Sequence, residues 1–321
     1  MSEKAFLGVD IGGTKVAAGL IDPNGKILFR TAALMNVTGT AAQGFSSVRE
    51  AIEAVFKAHP AARDQLHGIG VCSPGPLDQN TGVVVNPPNL PCWRNFPLAA
   101  EIQRSFGITA KIDNDANAAA LAEAIWGAGQ NYQNIFYATI GTGIGTGLVL
   151  GKRIYRGRTG NAVEAGHLSI DFRGPQCGCG KRGCIEALAS GPAIAARARS
   201  KIAISDPRAK TLIELASGRV DQITTEHVGA AFHRGDDLAK EVLEESADLL
   251  TVWLGNVIDI LEPDVIVVGG GVGELMSEFF KRIQEQLPQW SINPRCTEIP
   301  LVKAKYGTDA GIAGAAALSM Q

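Results

Sequence analysis

No run of about 18 apolar residues occurs in this chain, so nothing in it reads as a membrane-spanning helix. The opening MSEKAFLGVDIGG lacks a long apolar h-region and a small-residue cleavage site, and does not read as a signal peptide. Neither sign of charge is in excess. Thirty Lys and Arg stand against 32 Asp and Glu, a formal net charge of −2, which offers no basic field to nucleic acid or to an anionic membrane. Cysteine is scarce, six in 321 residues. In the cytoplasmic setting that these absences predict, thiols stay reduced, which disfavours disulfides and favours metal. What is plentiful is glycine, 38 residues without a collagen-like period. That abundance predicts many tight turns where backbone approaches a ligand. The length predicts two lobes rather than one core.

AFLGVDIGGTKVAAGLID reads as a strand, a Gly-Gly turn and a second strand, and PNGKILFR adds a turn and a third. Phe45, Val48, Ile52, Val55 and Phe56 recur at helical spacing and predict a helix over 42–58. LHGIGVCSPGPLD reads as a short buried strand ending in a loop, and NPPNLPCWRNF as a long proline-rich loop of the kind that often carries function. AKIDNDANAAALAEAIWGAG is a strand end followed by a helix from about Asp115. NIFYATIGTGIGTGLVLGKRIYRG then repeats the opening layout, which predicts an internal duplication with one phosphate-sized loop per half. A long amphipathic helix is expected over 238–260, a buried strand in PDVIVVGGGVG, and a terminal helix in GTDAGIAGAAALSM. The expected architecture is two similar α/β halves with a cleft between them.

Five stretches outside the cysteine cluster carry candidate chemistry. In Asp10-Ile-Gly-Gly-Thr-Lys15, the Gly12-Gly13 turn can aim N–H groups at an oxyanion. Thr14 offers a hydroxyl, Lys15 a cation, and Asp10 a carboxylate for Mg2+ through water. A strand rather than a helix follows, so this is not the P-loop pattern, and an ordinary hairpin is the competing reading. Gly141-Thr142-Gly143 opens a second such turn, and two of them suit a nucleoside triphosphate better than one. Asp113-Asn114-Asp115 ends a strand and opens a helix. Asp115 is either a plain N-cap or a carboxylate that accepts a hydroxyl proton during phosphoryl transfer, with Asn114 free to fix another sugar hydroxyl. Glu164 and His167 lie close together, His167 being otherwise a satisfied core histidine. Asp264 to Gly271 ends a buried strand with glycines, where a base or ribose can lie, or nothing at all.

QCGCGKRGCIEA admits a disulfide staple, a structural metal knuckle or a catalytic metal site. The tight spacing of Cys177, Cys179 and Cys184 makes disulfides among them awkward. With His167 they complete a tetrahedral zinc set. Four protein ligands leave no open position, so the site is expected to be closed and its work mechanical, pinning His167 and Glu186 onto one loop. Glu186 is otherwise a plain helix residue. Cys72, Cys92 and Cys296 read as unremarkable thiols.

DIGGTK, DNDAN, IGTGIGTG, GNAVEAGH and CGCGKRGCIE occur in that order, and together they resemble the ROK family of bacterial sugar kinases and related repressors. The likeness runs from residue 6 to about residue 316. It implies an α/β, two-lobed, actin-like or hexokinase-type ATPase fold (a duplicated ribonuclease H-like unit). A smaller lobe would take residues 1–114 and 305–321, and a larger one 115–304. By position, Asp115 matches the family's catalytic base. Gly75, Asn89, Asn114, Glu164, His167 and Glu186 match its sugar contacts. His167, Cys177, Cys179 and Cys184 match its zinc ligands. Asp10, Gly12, Gly13, Thr14, Lys15, Thr142 and Gly143 fall in its phosphate loops, and Gly270 lies where it packs adenosine. The implied protein is a cytoplasmic ATP-dependent hexose 6-kinase, most like a glucokinase, with ATP, Mg2+ and structural Zn2+. It would be a dimer or tetramer, with no nucleic-acid or membrane partner. N-acetylglucosamine, N-acetylmannosamine, mannose and fructose are alternative substrates.

Three positions depart from the family pattern. Val163 precedes Glu164 where glycine is usual, Thr146 replaces a common glycine, and Cys92 replaces the glycine of NLPGW. They bear on the choice of sugar more than on catalysis. Two rivals are weighed. Sugar-responsive repressors of the family carry an N-terminal helix-turn-helix, whereas this chain opens a few residues ahead of its first phosphate strand. A non-enzymatic sugar-binding module would not require Asp115 and both phosphate loops.

Overall fold

The computed structural model of the protein describes residues 5–202 and 207–321; residues 1–4 of the opening segment lie outside the described residues. The opening pattern resolves as β1 (Ala5–Ile11), β2 (Lys15–Ile21) and β3 (Ile27–Leu34). β1 pairs antiparallel with β2, and β2 with β3. β4 (Leu66–Cys72) joins β1 in parallel, a short hairpin follows in β5 (Leu77–Asp78) and β6 (Val83–Val84), and β7 (Ala110–Asp113) pairs parallel to β4. The sheet order is β3-β2-β1-β4-β7. β8 (Asn134–Ile140), β9 (Ile144–Leu150), β10 (Arg153–Ile154), β11 (Val265–Gly269) and β12 (Leu301–Lys303) form a second five-stranded sheet, in the order β10-β9-β8-β11-β12. In both sheets the strands run third, second, first, fourth, fifth in chain order. The duplication expected from the two glycine turns is thus repeated in the strand topology.

The chain divides into two compact units. Unit 1 takes residues 1–135, 147–163 and 304–321, and unit 2 takes 136–146 and 164–303. The expected division at 114/115 differs from this, because residues 115–135 and 147–163 group with the first unit. The reason is close packing. A Cβ on Gly314 would lie 2.5–2.7 Å from the Ala118–Ala119 backbone, so the terminal helix Ala310–Leu318 and the helix Asp115–Ile125 meet backbone to backbone.

Each face of the first sheet has its own partner. Leu7, Val9 and Ile11 share one core with Val48, Ile52 and Val55 of the helix Ala41–Ala58. That helix starts at a capping box between Thr40 and Gln43, which satisfies two orphan donors of its first turn. On the other face, Gly8 of β1 is in register with Gly19 of β2 and Gly70 of β4. A Cβ at these glycines would sit 2.1 Å from Ile312 O, 2.6 Å from Ile312 Cγ2 and 1.6 Å from Ala315 O, respectively. This row of missing side chains is the bed of the small-residue terminal helix.

In unit 2 the long helix is Asp237–Leu261, and the Asp236 side chain caps it by accepting from Ala239 N–H. Its buried stripe includes Leu243, Leu250, Trp253 and Val257. The Trp253 ring meets Phe136 edge-on at 5.8 Å. Among the described residues no helix is long and apolar enough to cross a membrane.

Candidate active site

Unit 1 brings together Asp10, the first glycine turn, the proline-rich loop and Asp115. Gly12 N–H donates to Lys15 O (2.9 Å), closing the turn between β1 and β2. A Cβ on Gly13 would lie 3.1 Å from Asn89 O, so the loop bearing Asn89 leans on this turn. Buried Leu90 and Trp93 anchor that loop, with Trp93 stacked on Phe96 at 4.9 Å and its indole N–H donating to Ala41 O. Gly75 is exposed and leads into the cis Gly75–Pro76 peptide. Thr14 and Lys15 are exposed beyond the turn.

Asp10 sits at the end of β1. The buried Cys72 thiol donates to its Oδ1 (3.2 Å), and the absence of a side chain at Gly311 makes room for its carboxylate. Cys72 is therefore a neighbour of the candidate metal carboxylate, which its reading as an unremarkable thiol missed. Burial pushes the Asp10 carboxyl above the usual aspartate range, and the charge of Asp115 adds to the rise.

The strand-to-helix turn after β7 assigns the cap to Asn114, whose Oδ1 accepts from Asn117 N–H (2.7 Å). That resolves the N-cap alternative: Asp115 is the first residue inside the helix, its Oδ1 accepting from Ala116 N–H (2.8 Å). Asp115 is open to solvent, yet crowding by surrounding protein raises its carboxyl above the usual range. Capping occupies the Asn114 carbonyl and leaves its amide nitrogen as the polar group available to a ligand.

Beneath this turn lies a network that no local pattern announced. The buried Asp113 carboxylate accepts from Arg156 Nε (2.7 Å), Asn117 Nδ2 (3.0 Å) and Asn114 N–H (2.8 Å). Asn117 stands one helical step from Asp113 within DNDAN, a spacing that points to such a bond. Arg156 comes from the segment after β10 and carries no sequence signal of its own.

In unit 2, His167 Nδ1 lies 3.6 Å from Cys177 Sγ, and Cys179 Sγ lies 3.7 Å from Cys184 Sγ. One donor atom from each of the four residues falls within 4.8 Å of the others. Tetrahedral thiolates about 2.3 Å from zinc would stand about 3.8 Å apart, so the donor set fits a Cys3His zinc site by chemistry and spacing. All six cysteines are free. Burial pushes the Cys184 thiol up to about 12, while the backbone N–H of Lys181 lowers exposed Cys179. A bound cation would override both, since a coordinating thiol is deprotonated outright. A tight turn forms the knuckle, with Cys177 N–H donating to Lys181 O (2.8 Å) and Gly180 N–H to Cys177 O (2.9 Å).

Glu186 stands in the first turn of the helix Ile185–Ala189, two residues after Cys184. Its Oε2 accepts from Ile144 N–H (3.0 Å), and its Oε1 lies 3.8 Å from His167 Nδ1. A Cβ on Gly143 would collide with that carboxylate at 2.6 Å. Glu186 thus braces the second glycine turn, a partner the sequence reading did not assign to it. Glu164 is exposed and is the first residue of unit 2 after Val163.

Thr142 and Gly141 of that turn line a cavity of about 770 Å³, together with Thr225, Gly271, Val272 and Leu275. Gly270, at φ +84, caps the helix Gly271–Met276, and a Cβ there would strike Ile140 O at 2.3 Å. The conformation and the contact both require glycine. The walls from the helices Gly191–Ile202 and Thr225–Phe232 were not legible beforehand, because their residues are ordinary in type and distant in sequence.

Two like-ordered five-stranded sheets, each with a glycine turn between its first two strands, define the class of the molecule: the actin-like, hexokinase-type ATPase fold. The ROK family model matches residues 6–321, and the chain belongs to that family. It is 31% identical over 316 residues to a glucokinase of Streptomyces coelicolor, covering 98% of this chain and 97% of that one. It is 33% identical over 313 residues to an N-acetylmannosamine kinase of Escherichia fergusonii, covering 98% and 97%. A ROK family glucokinase from Streptomyces griseus, solved in complex with glucose and AMPPNP, superposes with a TM-score of 0.81 at 33% identity over 99% of both chains.

Proposed function

We propose that the protein is an ATP-dependent hexose kinase that phosphorylates the sugar 6-hydroxyl, with glucose as substrate. The observation that carries the mechanism is Asp115, placed inside the first turn of its helix and near enough to Asp10 for its charge to raise the Asp10 carboxyl. A raised carboxyl is a better base than an ordinary aspartate. Asp115 accepts the 6-hydroxyl proton as O6 attacks the γ-phosphorus. The bond to the β,γ-bridging oxygen breaks, and ADP leaves. Backbone N–H groups of the two glycine turns hold the phosphates. Asp10 would hold Mg2+, which supplies charge neutralisation on the phosphate oxygens when bound. The unit 2 cavity, of a size that accepts a nucleoside, takes adenosine.

Gly75, Asn89, Asn114, Glu164, His167 and Glu186 contact the sugar in this reading. Zn2+ on His167, Cys177, Cys179 and Cys184 would fix the loop that presents His167, with Glu186 braced between that loop and the second turn. The chain works in the cytoplasm as a homo-oligomer, as the resemblance implies. The likeness to an N-acetylmannosamine kinase at 33% identity keeps N-acetylhexosamines as the alternative substrate class.

ADP release measured over a panel of hexoses and N-acetylhexosamines tests the activity, with glucose expected to give the highest kcat/KM. Turnover on none of them would sink the kinase reading. In the same assay Asp115→Asn is expected to lower kcat by roughly 10²–10⁴-fold, and unchanged turnover would remove Asp115 as the base.

A further inference from the structure

The non-glycine residues with positive φ are Asn95, Lys152, Val163, Ser217 and Glu262 among the described residues. Val163, at φ +63, is the β-branched one. A branched Cβ crowds the backbone most in the left-handed region, where such a residue is a genuine outlier. The conformation persists only if its surroundings over-determine it.

They do so on the C-terminal side of Glu164. The N–H of Ala165 donates to Oγ1 of buried Thr146 (3.0 Å), and its carbonyl accepts from the Trp253 indole N–H (3.0 Å). Gly166 lies so close to β9 that a Cβ there would be 1.9 Å from Ile144 O. The backbone after Glu164 is therefore fastened along β9, and the backbone before it makes its left-handed turn at Val163. The division between the two units falls at 146/147, inside β9, and again at 163/164. Thr146 and Val163 are the residues at those two divisions.

We infer that Val163 and Thr146 are positioning residues for Glu164 that set which sugar the site accepts. This rests on the reading of Glu164 as a sugar contact. The bent residue holds Glu164 at one angle, and the threonine hydroxyl fixes the next peptide in register. Backbone strain kept beside a ligand group trades stability for placement. Glycine at 163 adopts φ +63 without cost, but it also gives the chain leave to depart from it.

The test uses the full chain in four forms: wild type, Val163→Gly, Thr146→Val and Thr146→Ser. Val163→Gly is expected to raise Tm by roughly 2–4 °C while weakening binding of the preferred hexose about tenfold in calorimetry. The ratio of glucose to N-acetylmannosamine affinity should change and ATP affinity stay constant. Thr146→Val, which removes the acceptor, should lose sugar affinity and Tm together, and Thr146→Ser should restore both. A merely structural role would not give higher stability with poorer sugar binding. Unchanged sugar affinity and selectivity in Val163→Gly would overturn the inference. Hydrogen exchange of residues 163–167 without sugar reads the bracket directly, and is expected to quicken in Val163→Gly and Thr146→Val. Equal protection in all forms also overturns it. A wild-type chain that binds no hexose overturns the sugar-site reading instead, and the exchange result then decides the bracket by itself.

Discussion

Asp115 and Arg156 act on one strand-to-helix turn, but only the first stands in a recognisable pattern. Crowding raises the Asp115 carboxyl, which gives a direction for the pH profile. In the proposed mechanism the base must be ionised, so kcat/KM is expected to be flat at neutral pH. It should fall tenfold per pH unit as pH drops through a pKa above the usual aspartate range. A fall beginning only within the ordinary aspartate range would show that no such shift exists. Arg156 is tested through stability. Arg156→Met leaves the buried Asp113 carboxylate without its cation, a loss of about 3 kcal/mol at the low end for such pairs because Arg156 is partly exposed. Urea unfolding measures it. Adding Asp113→Asn should recover part of the loss, since the uncompensated charge is then gone. An additive double variant would mean that the pair is not the cause. DNDAN was legible because three consecutive polar residues after a buried strand are more than a helix cap needs. Arg156 was not, because a lone arginine in a loop has no local signature and finds Asp113 only through the fold.

Elements were legible where periodicity or turn chemistry dictated them. The helix expected over 42–58 runs Ala41–Ala58, and that expected over 238–260 runs Asp237–Leu261. The division of the chain was less legible, because what assigns residues 115–135 to unit 1 is the approach of two helices at Gly314 and not any feature of either helix alone. The same small-residue packing gives a prediction. Gly70→Ala would place a methyl 1.6 Å from Ala315 O, a backbone atom that cannot step aside. The terminal helix must lift, at about 3 kcal/mol, and the turnover proposed for Asp115 should drop with it because the Asp115 helix packs on that element. Circular dichroism melts and turnover measure the two effects, and a neutral Gly70→Ala would refute the backbone-contact account. The candidate zinc knuckle belongs to the same scale. Its ligand spacing was legible in CxCxxxxC, whereas the brace from Glu186 to Ile144 N–H was not, since it depends on where β9 begins.

At the scale of the whole molecule, the first sheet lies within unit 1, the second draws strands from both units, and each unit has its own structural device. The terminal helix on the glycine row belongs to unit 1, and the Cys3His cluster belongs to unit 2. Cooperative opening in proteins tends to follow contiguous packed units, so lesions in the two devices should leave different footprints. Gly70→Ala is expected to speed hydrogen exchange in β1, β2, β4 and the terminal helix, and to leave 164–190 at wild-type protection. Chelation of the zinc proposed for this cluster, or Cys179→Ser, should do the reverse. It should loosen residues 164–190, where His167 and Glu186 lose their anchor, while β1, β2 and β4 keep their protection. Sugar binding should then fail before ATP binding, because the proposed zinc would hold His167, while the walls of the cavity proposed for the nucleotide come from other helices. Calorimetry with glucose and with ATP on the chelated protein separates the two affinities. If both are lost together, with exchange quickened throughout the chain, the zinc cluster is a staple for the whole fold rather than an anchor for one loop.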